Sequence, residues 1–404
     1  MRPRLLYSLL LLIFSINGFT ATAQTISNDG YDYTVITGAD RTDQYLPLLK
    51  GKKVALVINQ ASRIFGEVLL DTLLTQKVKI TKVFVPEHGF RGKAEAGEAV
   101  ANEKDKETGI EIISLYGNNK KPQKKDLKNV DVVIYDLQDV GVRFYTYIST
   151  LEYLMDACIE NDKELIILDR PNPNGHYVDG PVLDTSLRSF VGMQPVPIVY
   201  GMTVGEYAKM LVGEKWIANT DKLKMTVIPC QSYNHKTPYR VLYDPSPNLR
   251  SMAAIYCYPT VCLFEGTPVS VGRGTTAPFQ HWGHPDFKGR TLYNFTPVPV
   301  WGAKVDPPYA YKACYGQAVA MGGDEAKRML RDRVRLVWLI RAYEWWGNKD
   351  GFFTPFFDKL AGTRELKKQI TQGMDENAIY ATWEKDLQAF KKIRKKYLLY
   401  ADFE

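Results

Sequence analysis

Between residues 53 and 169, short β-branched apolar runs alternate with helix-like segments, and few folds accommodate that alternation. The runs are Lys53–Ile58, Ile80–Val85, Ile110–Leu115, the first half of Val130–Tyr147, and Leu165–Leu168. Such runs suit strands buried on both faces of a parallel sheet. Leu69–Thr75 and Ile148–Asn161 carry helical spacing between them. The pattern predicts an α/β protein with a mostly parallel sheet covered by helices. Val204–Val212 reads as a further short helix and Leu223–Ile228 as a further strand.

The residues just beyond each run are as informative as the run itself. The first run ends in Asn59-Gln60-Ala61-Ser62 and the second in Pro86-Glu87-His88-Gly89-Phe90-Arg91-Gly92. The fourth ends in Asp136-Leu137-Gln138-Asp139 and the fifth in Asp169-Arg170-Pro171-Asn172, while the third ends in Tyr116-Gly117. In α/β proteins ligands bind beyond the carboxyl ends of the strands. Any one of these residues alone reads equally well as a cap or turn former. Four of five strand ends carrying acids or amides favour a functional cleft.

A carboxyl half-buried at a strand mouth is suited to general-acid work, which makes Glu87 the first catalytic candidate; a surface pairing with Arg91 is the alternative. Asp136 and Asp139 are candidates for a second carboxylate. Period two puts Asp136 and Gln138 on one face, and capping ahead of Tyr147 competes, most directly for Asp139. Arg143, Arg170 and Arg273 lie beside Gly, Pro or aromatic residues and can bind a planar carboxylate or pair with a nearby Asp. No Gly-x-Ser-x-Gly, His-Glu-x-x-His or phosphate-loop motif occurs, so no metal and no cofactor are expected. His281 and His284 read as part of a loop without function.

Arg2 and Arg4 precede the apolar run Leu5–Phe14, and Ala21-Thr22-Ala23 offers a cleavage site. Residues 1–23 therefore read as a secretory signal peptide. No Cys stands at the cleavage point and no later run is long enough to span a bilayer, so the expectation is a periplasmic or secreted protein without a stable membrane anchor. Losing the peptide removes two arginines and no acid, taking the formal charge from +7 to +5. Lys391–Lys396 reads as a solvated helix face, and no nucleic-acid partner is expected. The five cysteines show no disulfide spacing, and Cys257 and Cys262 read as core residues. From about Gln231, Pro, Tyr and Trp become frequent and periodicity weakens; Asp324–Trp346, Arg364–Gln372 and Glu376–Tyr397 are helical again. The expected division is residues 24–230 as a catalytic domain and 231–404 as a smaller, looser α+β domain.

The long motifs Phe84–Gly92 and Tyr135–Tyr147 resemble those of the NamZ-type exo-lytic β-N-acetylmuramidases. So do Leu168–Gly175, Leu263–Thr267, Gly272–Thr276 and the terminal Tyr397-Leu398-Leu399-Tyr400. The resemblance runs from about Lys52 to the C-terminus. It implies a Rossmann-like domain with an auxiliary domain, and a cleft that releases terminal N-acetylmuramic acid from the non-reducing end of peptidoglycan fragments. It implies Glu87 as the catalytic glutamate, with muropeptides or disaccharides as partners. The candidate substrate-binding set is Asn59, His88, Arg91, Gln138, Arg143, Tyr145, Asp169, Arg170, Asn172, Asn174, Tyr200, Glu265 and Arg273. Tyr200 stands where many members carry His. A periplasmic sugar- or muropeptide-binding protein using the same cleft without chemistry is the alternative reading.

Overall fold

The computed structural model describes residues 29–87 and 103–404; the signal-peptide reading, His88 and Arg91 lie outside them. The strands in chain order are β1 (Lys53–Ile58), a two-residue hairpin β2 (Arg63–Ile64) and β3 (Glu67–Val68), β4 (Lys79–Val85), β5 (Glu103–Lys104), β6 (Glu111–Ser114), β7 (Val132–Asp136), β8 (Glu164–Leu168) and β9 (Met225–Ile228). Seven form one sheet in the order β5-β6-β4-β1-β7-β8-β9. All pairings are parallel except that of the edge strand β5.

Alternation decides the faces. Val54, Leu56 and Ile58 point to one side, with Val132, Ile134, Ile166 and Leu168, and pack under α1 (Thr42–Leu49) and α2 (Leu69–Thr75). Ala55 and Val57 point to the other, with Val133, Tyr135 and Ile167, under α3 (Tyr147–Glu160) and α4 (Val204–Gly213). Period-two side-chain direction is the cause. Thr203 and Glu206 close a capping box at the start of α4, which satisfies two of its free backbone donors.

The chain after residue 250 packs against the α3–α4 face of the sheet. Its residues Tyr256, Phe264, Trp282, Phe357 and Trp383 belong to the same continuous core as the α3–α4 face of the sheet. α5 (Met252–Val261) is buried along its whole length, Pro259 included. A small antiparallel sheet comes next, β10 (His281–His284), β11 (Asn294–Phe295) and β12 (Cys314–Ala318), in the order β10-β12-β11. His281 and His284 therefore lie on a strand, not in a loop. The helix expected over Asp324–Trp346 is two, α6 (Gly323–Leu330) and α7 (Val337–Trp345). Arg331 and Asp332 between them take positive φ of 54° and 52°, which no helix propagates. α8 (Pro355–Ala361), α9 (Glu365–Thr371) and α10 (Glu376–Arg394) complete the chain. The five cysteines are buried and unbridged.

Candidate active site

Strand order places the site. The chain leaves β1 for β4 on one side and, after β6, crosses back to β7 on the other, so the sheet changes direction between β1 and β7. That crevice is where α/β folds bind ligands. The segments after β4, β6 and β7 reach one cavity of about 190 Å³ through Glu87, Tyr116 and Phe144–Tyr147. The C-terminal half supplies its far wall, including Tyr258, Glu265, Arg273 and Phe279.

Among the described residues of the lining, Glu87 and Glu265 are the carboxylates and Arg273 is the cation. Glu87 is half-buried directly after β4. Tyr116, at the equivalent point after β6, shares a hydrogen bond with it. Burial, and then the Glu87 charge, push the Tyr116 hydroxyl up to about 12, so it stays protonated and donates. Tyr147 stands close enough for the Glu87 charge to raise its hydroxyl further, after burial. Asn59 Nδ2 donates to Tyr147 Oη at 2.8 Å, and Tyr147 donates to the Pro245 carbonyl at 3.1 Å. Asn59 thus acts through Tyr147 and does not line the cavity.

Opposite, Arg273 Nε donates to Glu265 Oε1 at 2.6 Å, and its guanidinium lies 4.9 Å from the centroid of the Phe279 ring. Phe279 holds a φ of 62°, a left-handed conformation rare for so bulky a residue. Strain of this kind collects at functional sites. The T-shaped contacts Tyr145–Tyr147, Phe144–Tyr258 and Tyr258–Phe279, with centroids 4.7, 5.4 and 4.9 Å apart, make a rigid aromatic wall. Tyr145 belongs to it, its hydroxyl fixed on the Pro245 carbonyl at 2.8 Å.

The other described candidates are brought near the strand ends but not into the cavity. Asp136 is fully buried and holds Arg170 through two bonds of 2.5 and 2.8 Å. The carboxylate expected to be catalytic and the guanidinium expected to read a substrate carboxylate are thus each other's partner, away from the cavity lining. Asp139 accepts from the Tyr200 hydroxyl and from the Gly141 amide at 2.6 Å, and burial pushes it up to about 6 against those bonds. It serves the turn after β7, and Tyr200 serves Asp139. Gly141 in that turn has a φ of +74°, and a Cβ there would fall 2.2 Å from Asn172 Oδ1.

Arg143 is buried and donates only to carbonyls, those of Pro181, Val196, Leu360 and Ala361, at 2.7 to 3.0 Å. It ties the turn after β7 to the end of α8, where a Cβ on Gly362 would sit 2.3 Å from Arg143 Nη2. Buried there and absent from the cavity lining, the guanidinium is not presented to a substrate carboxylate. Gln138 bonds the Asp139 and Pro171 carbonyls, Asn172 that of Met202, and Asn174 those of Val140 and Ile255. Asp169 receives Tyr400 Oη at 2.6 Å, Thr203 Oγ1 at 2.7 Å and the Gly205 amide at 2.8 Å. The terminal Tyr-Leu-Leu-Tyr motif is thus a fastening across the end of β8. Sequence reasoning missed Tyr116, Tyr147, Tyr258 and Phe279; for Tyr116 the signal was present, a polar group at a strand end in register with Glu87.

Among the described residues no group of three or more His, Cys, Asp or Glu is placed to hold a metal ion. Fold and site together define an α/β protein with two glutamates lining one aromatic-walled cavity, and a pair of carboxyl groups is what glycoside cleavage commonly uses. The model of the N-terminal part of the exo-β-N-acetylmuramidase NamZ matches residues 54–253, and that of its C-terminal part matches 256–400. The chain belongs to this family. It is 36% identical to the peptidoglycan β-N-acetylmuramidase NamZ of Bacillus subtilis, across 94% of this chain and 96% of that protein. Crystal structures of two DUF1343 family proteins from Bacteroides fragilis superpose with TM-scores of 0.84 and 0.73 at 47% and 27% identity. Each covers 91% of this chain and 99% of its own.

If Tyr116 steadies Glu87, Tyr116→Phe lowers kcat/KM by roughly tenfold, the worth of one hydrogen bond to a charged group, with an unchanged melting temperature. Turnover equal to the parent's would leave Tyr116 as wall only.

Proposed function

We propose that this chain is an exo-acting glycoside hydrolase that releases terminal N-acetylmuramic acid from the non-reducing end of peptidoglycan fragments, in cell-wall turnover. The observation that carries the reading is that Glu87 and the Glu265–Arg273 pair line one cavity, in a chain of this family. Glu87 protonates the glycosidic oxygen as the bond to the anomeric carbon breaks. Positive charge then grows on the sugar ring, and a carboxylate or the substrate's own 2-acetamido oxygen meets it. The protein group we assign to that role is Glu265, which accepts from Arg273 Nε at 2.6 Å. Seating the sugar expels water from the aromatic-walled cavity; once the leaving sugar has gone, a water molecule attacks the anomeric carbon, returns a proton to Glu87 and completes the hydrolysis. Residues 1–23, read as a signal peptide, support an exported enzyme acting where the wall is; no helix of the described residues is long and apolar enough to cross a membrane.

The test is turnover of a chromogenic N-acetylmuramic acid glycoside by the mature protein, with product release from chain ends only. Internal cuts in intact wall glycan would overturn the exo assignment.

N-acetylmuramic acid differs from N-acetylglucosamine by a lactyl ether that ends in a carboxylate, and of the three arginines suited to a planar carboxylate Arg273 alone lines the cavity. Glu265 takes its Nε, and a guanidinium carries four further N–H donors. Arg273→Met is therefore expected to cut the preference for the muramic over the glucosamine glycoside by roughly 10- to 150-fold, the worth of one charge-assisted contact. Equal losses on both substrates would mean that Arg273 serves only to hold Glu265.

A further inference from the structure

The segment that carries Glu265 continues directly from α5. Val261 ends that helix, and Cys262–Gly266 tighten into a 3₁₀ turn without a break between them. Residues four apart on an α-helix, and three apart on a 3₁₀ helix, stand on one side. Tyr258, Cys262 and Glu265 therefore form one stripe, and all three line the cavity beside Glu87. The turn is held from behind. A Cβ on Gly266 would lie 2.4 Å from Phe357 Cα, so α8 packs directly on its backbone.

Cys262 is buried, as a core residue should be, but its thiol has polar company. Sγ donates to Glu265 Oε2 at 3.5 Å. Burial, and then the Glu265 charge, hold the thiol well above its ordinary value, so it keeps the proton it donates. Tyr258 shares a hydrogen bond with the sulfur, and burial raises its hydroxyl well above the ordinary value as well. A phenol that stays protonated donates in its turn. Glu265 Oε1 takes Arg273 Nε at 2.6 Å, so one carboxylate oxygen is held by a cation and the other by a neutral group. A thiol is a weak donor. It can fix the direction of the second oxygen while withdrawing little of its charge.

We infer that Cys262 is a positioning residue of the hydrolytic site: its thiol, backed by Tyr258, holds the second oxygen of Glu265 so that the carboxylate meets the charge growing on the sugar ring in one orientation. This rests on the role assigned to Glu265 under the hydrolase reading. Arg273 by itself leaves that orientation open, because a carboxylate held at one oxygen can still swing about the contact. A reacting group out of line costs rate even when the substrate binds normally. A cysteine that only filled space would behave differently, since its loss would be felt in stability and not in kcat.

The experiment follows a chromogenic N-acetylmuramic acid glycoside with the parent protein, Cys262→Ala, Cys262→Ser, Glu265→Gln and the double variant Cys262→Ala, Glu265→Gln. Cys262→Ala is expected to lower kcat about fivefold, the worth of one ordinary hydrogen bond, with KM within about twofold of the parent's. Cys262→Ser keeps a donor and should return most of the loss. In the Glu265→Gln background the same change to Ala should cost nothing further, because the group through which the thiol acts is already gone. An unchanged kcat in Cys262→Ala, a loss that Ser does not restore, or an equal fall in both backgrounds overturns the inference. Parent-like turnover by Glu265→Gln overturns it too, while leaving the hydrolase reading in place. Should the parent not cleave the glycoside at all, the hydrolase reading fails. The infrared S–H stretching band of Cys262, identified by its loss in Cys262→Ala, then decides the contact alone. A band that moves in Glu265→Gln supports the contact, and one that stays in place overturns it.

Discussion

Glu87→Gln is expected to lower turnover of a natural wall disaccharide by about 10²- to 10⁴-fold, the usual worth of a general acid. The melting temperature should stay where it is. Glu87 is half-buried at the end of β4 and shares its hydrogen bond with Tyr116, a contact the amide keeps. What the amide lacks is a proton to give to the leaving oxygen. The loss should shrink on a substrate with a good leaving group such as a nitrophenolate, which departs without protonation. That contrast separates the general acid from a residue that only binds sugar, because a binding loss would fall on both substrates alike. Near-parental turnover of the natural disaccharide would remove Glu87 from the mechanism.

The second large effect falls on stability and not on chemistry. Arg170→Met leaves the Asp136 carboxylate fully buried with no cation beside it, and breaking a buried pair in this way costs about 3–5 kcal/mol. Replacing both residues with apolar or amide groups removes the orphaned charge, so the double variant Asp136→Asn, Arg170→Met should recover much of the loss. Urea unfolding of the four proteins in the cycle measures this directly. The fraction that remains folded should turn over substrate near the parent rate. A selective fall in kcat for Asp136→Asn at full stability would restore Asp136 to the catalytic role its strand-end position suggested.

That pair also shows why a strand-end acid is an incomplete signal. Glu87 and Asp136 both come directly after buried runs, and in sequence both are carboxyls at the mouth of a sheet. Only the strand order separates them. β7 lies between β1 and β8, so Asp136 ends beside the Arg170 that comes after β8, and the two neutralise each other. β4 lies between β1 and β6, where the neighbouring strand end offers the Tyr116 hydroxyl. Arg143 teaches the same for cations. Its aromatic and glycine neighbours suggested a ligand contact, whereas the four carbonyls that occupy it come from residues 181, 196, 360 and 361. No local pattern announces such a convergence.

Local chemistry was sufficient for elements whose two faces differ or whose ends are marked. β1 and α2 fall at the expected residues, Lys53–Ile58 and Leu69–Thr75, because β-branched alternation and helical apolar spacing are properties of a few adjacent residues. α5 escaped notice for the opposite reason: buried on every side, it shows no polar face and hence no period. The parallel sheet, the succession of its elements and the place of Glu87 at a strand mouth were already set by the amino-acid order, since each depends on neighbours along the chain. That Glu265 and Arg273 line one cavity with Glu87, and that Asp136, Asp139, Arg143 and Arg170 do not, was settled by folding alone. Those assignments rest on contacts between segments tens to hundreds of residues apart, and the energy of a buried charge depends on which group lies beside it in space.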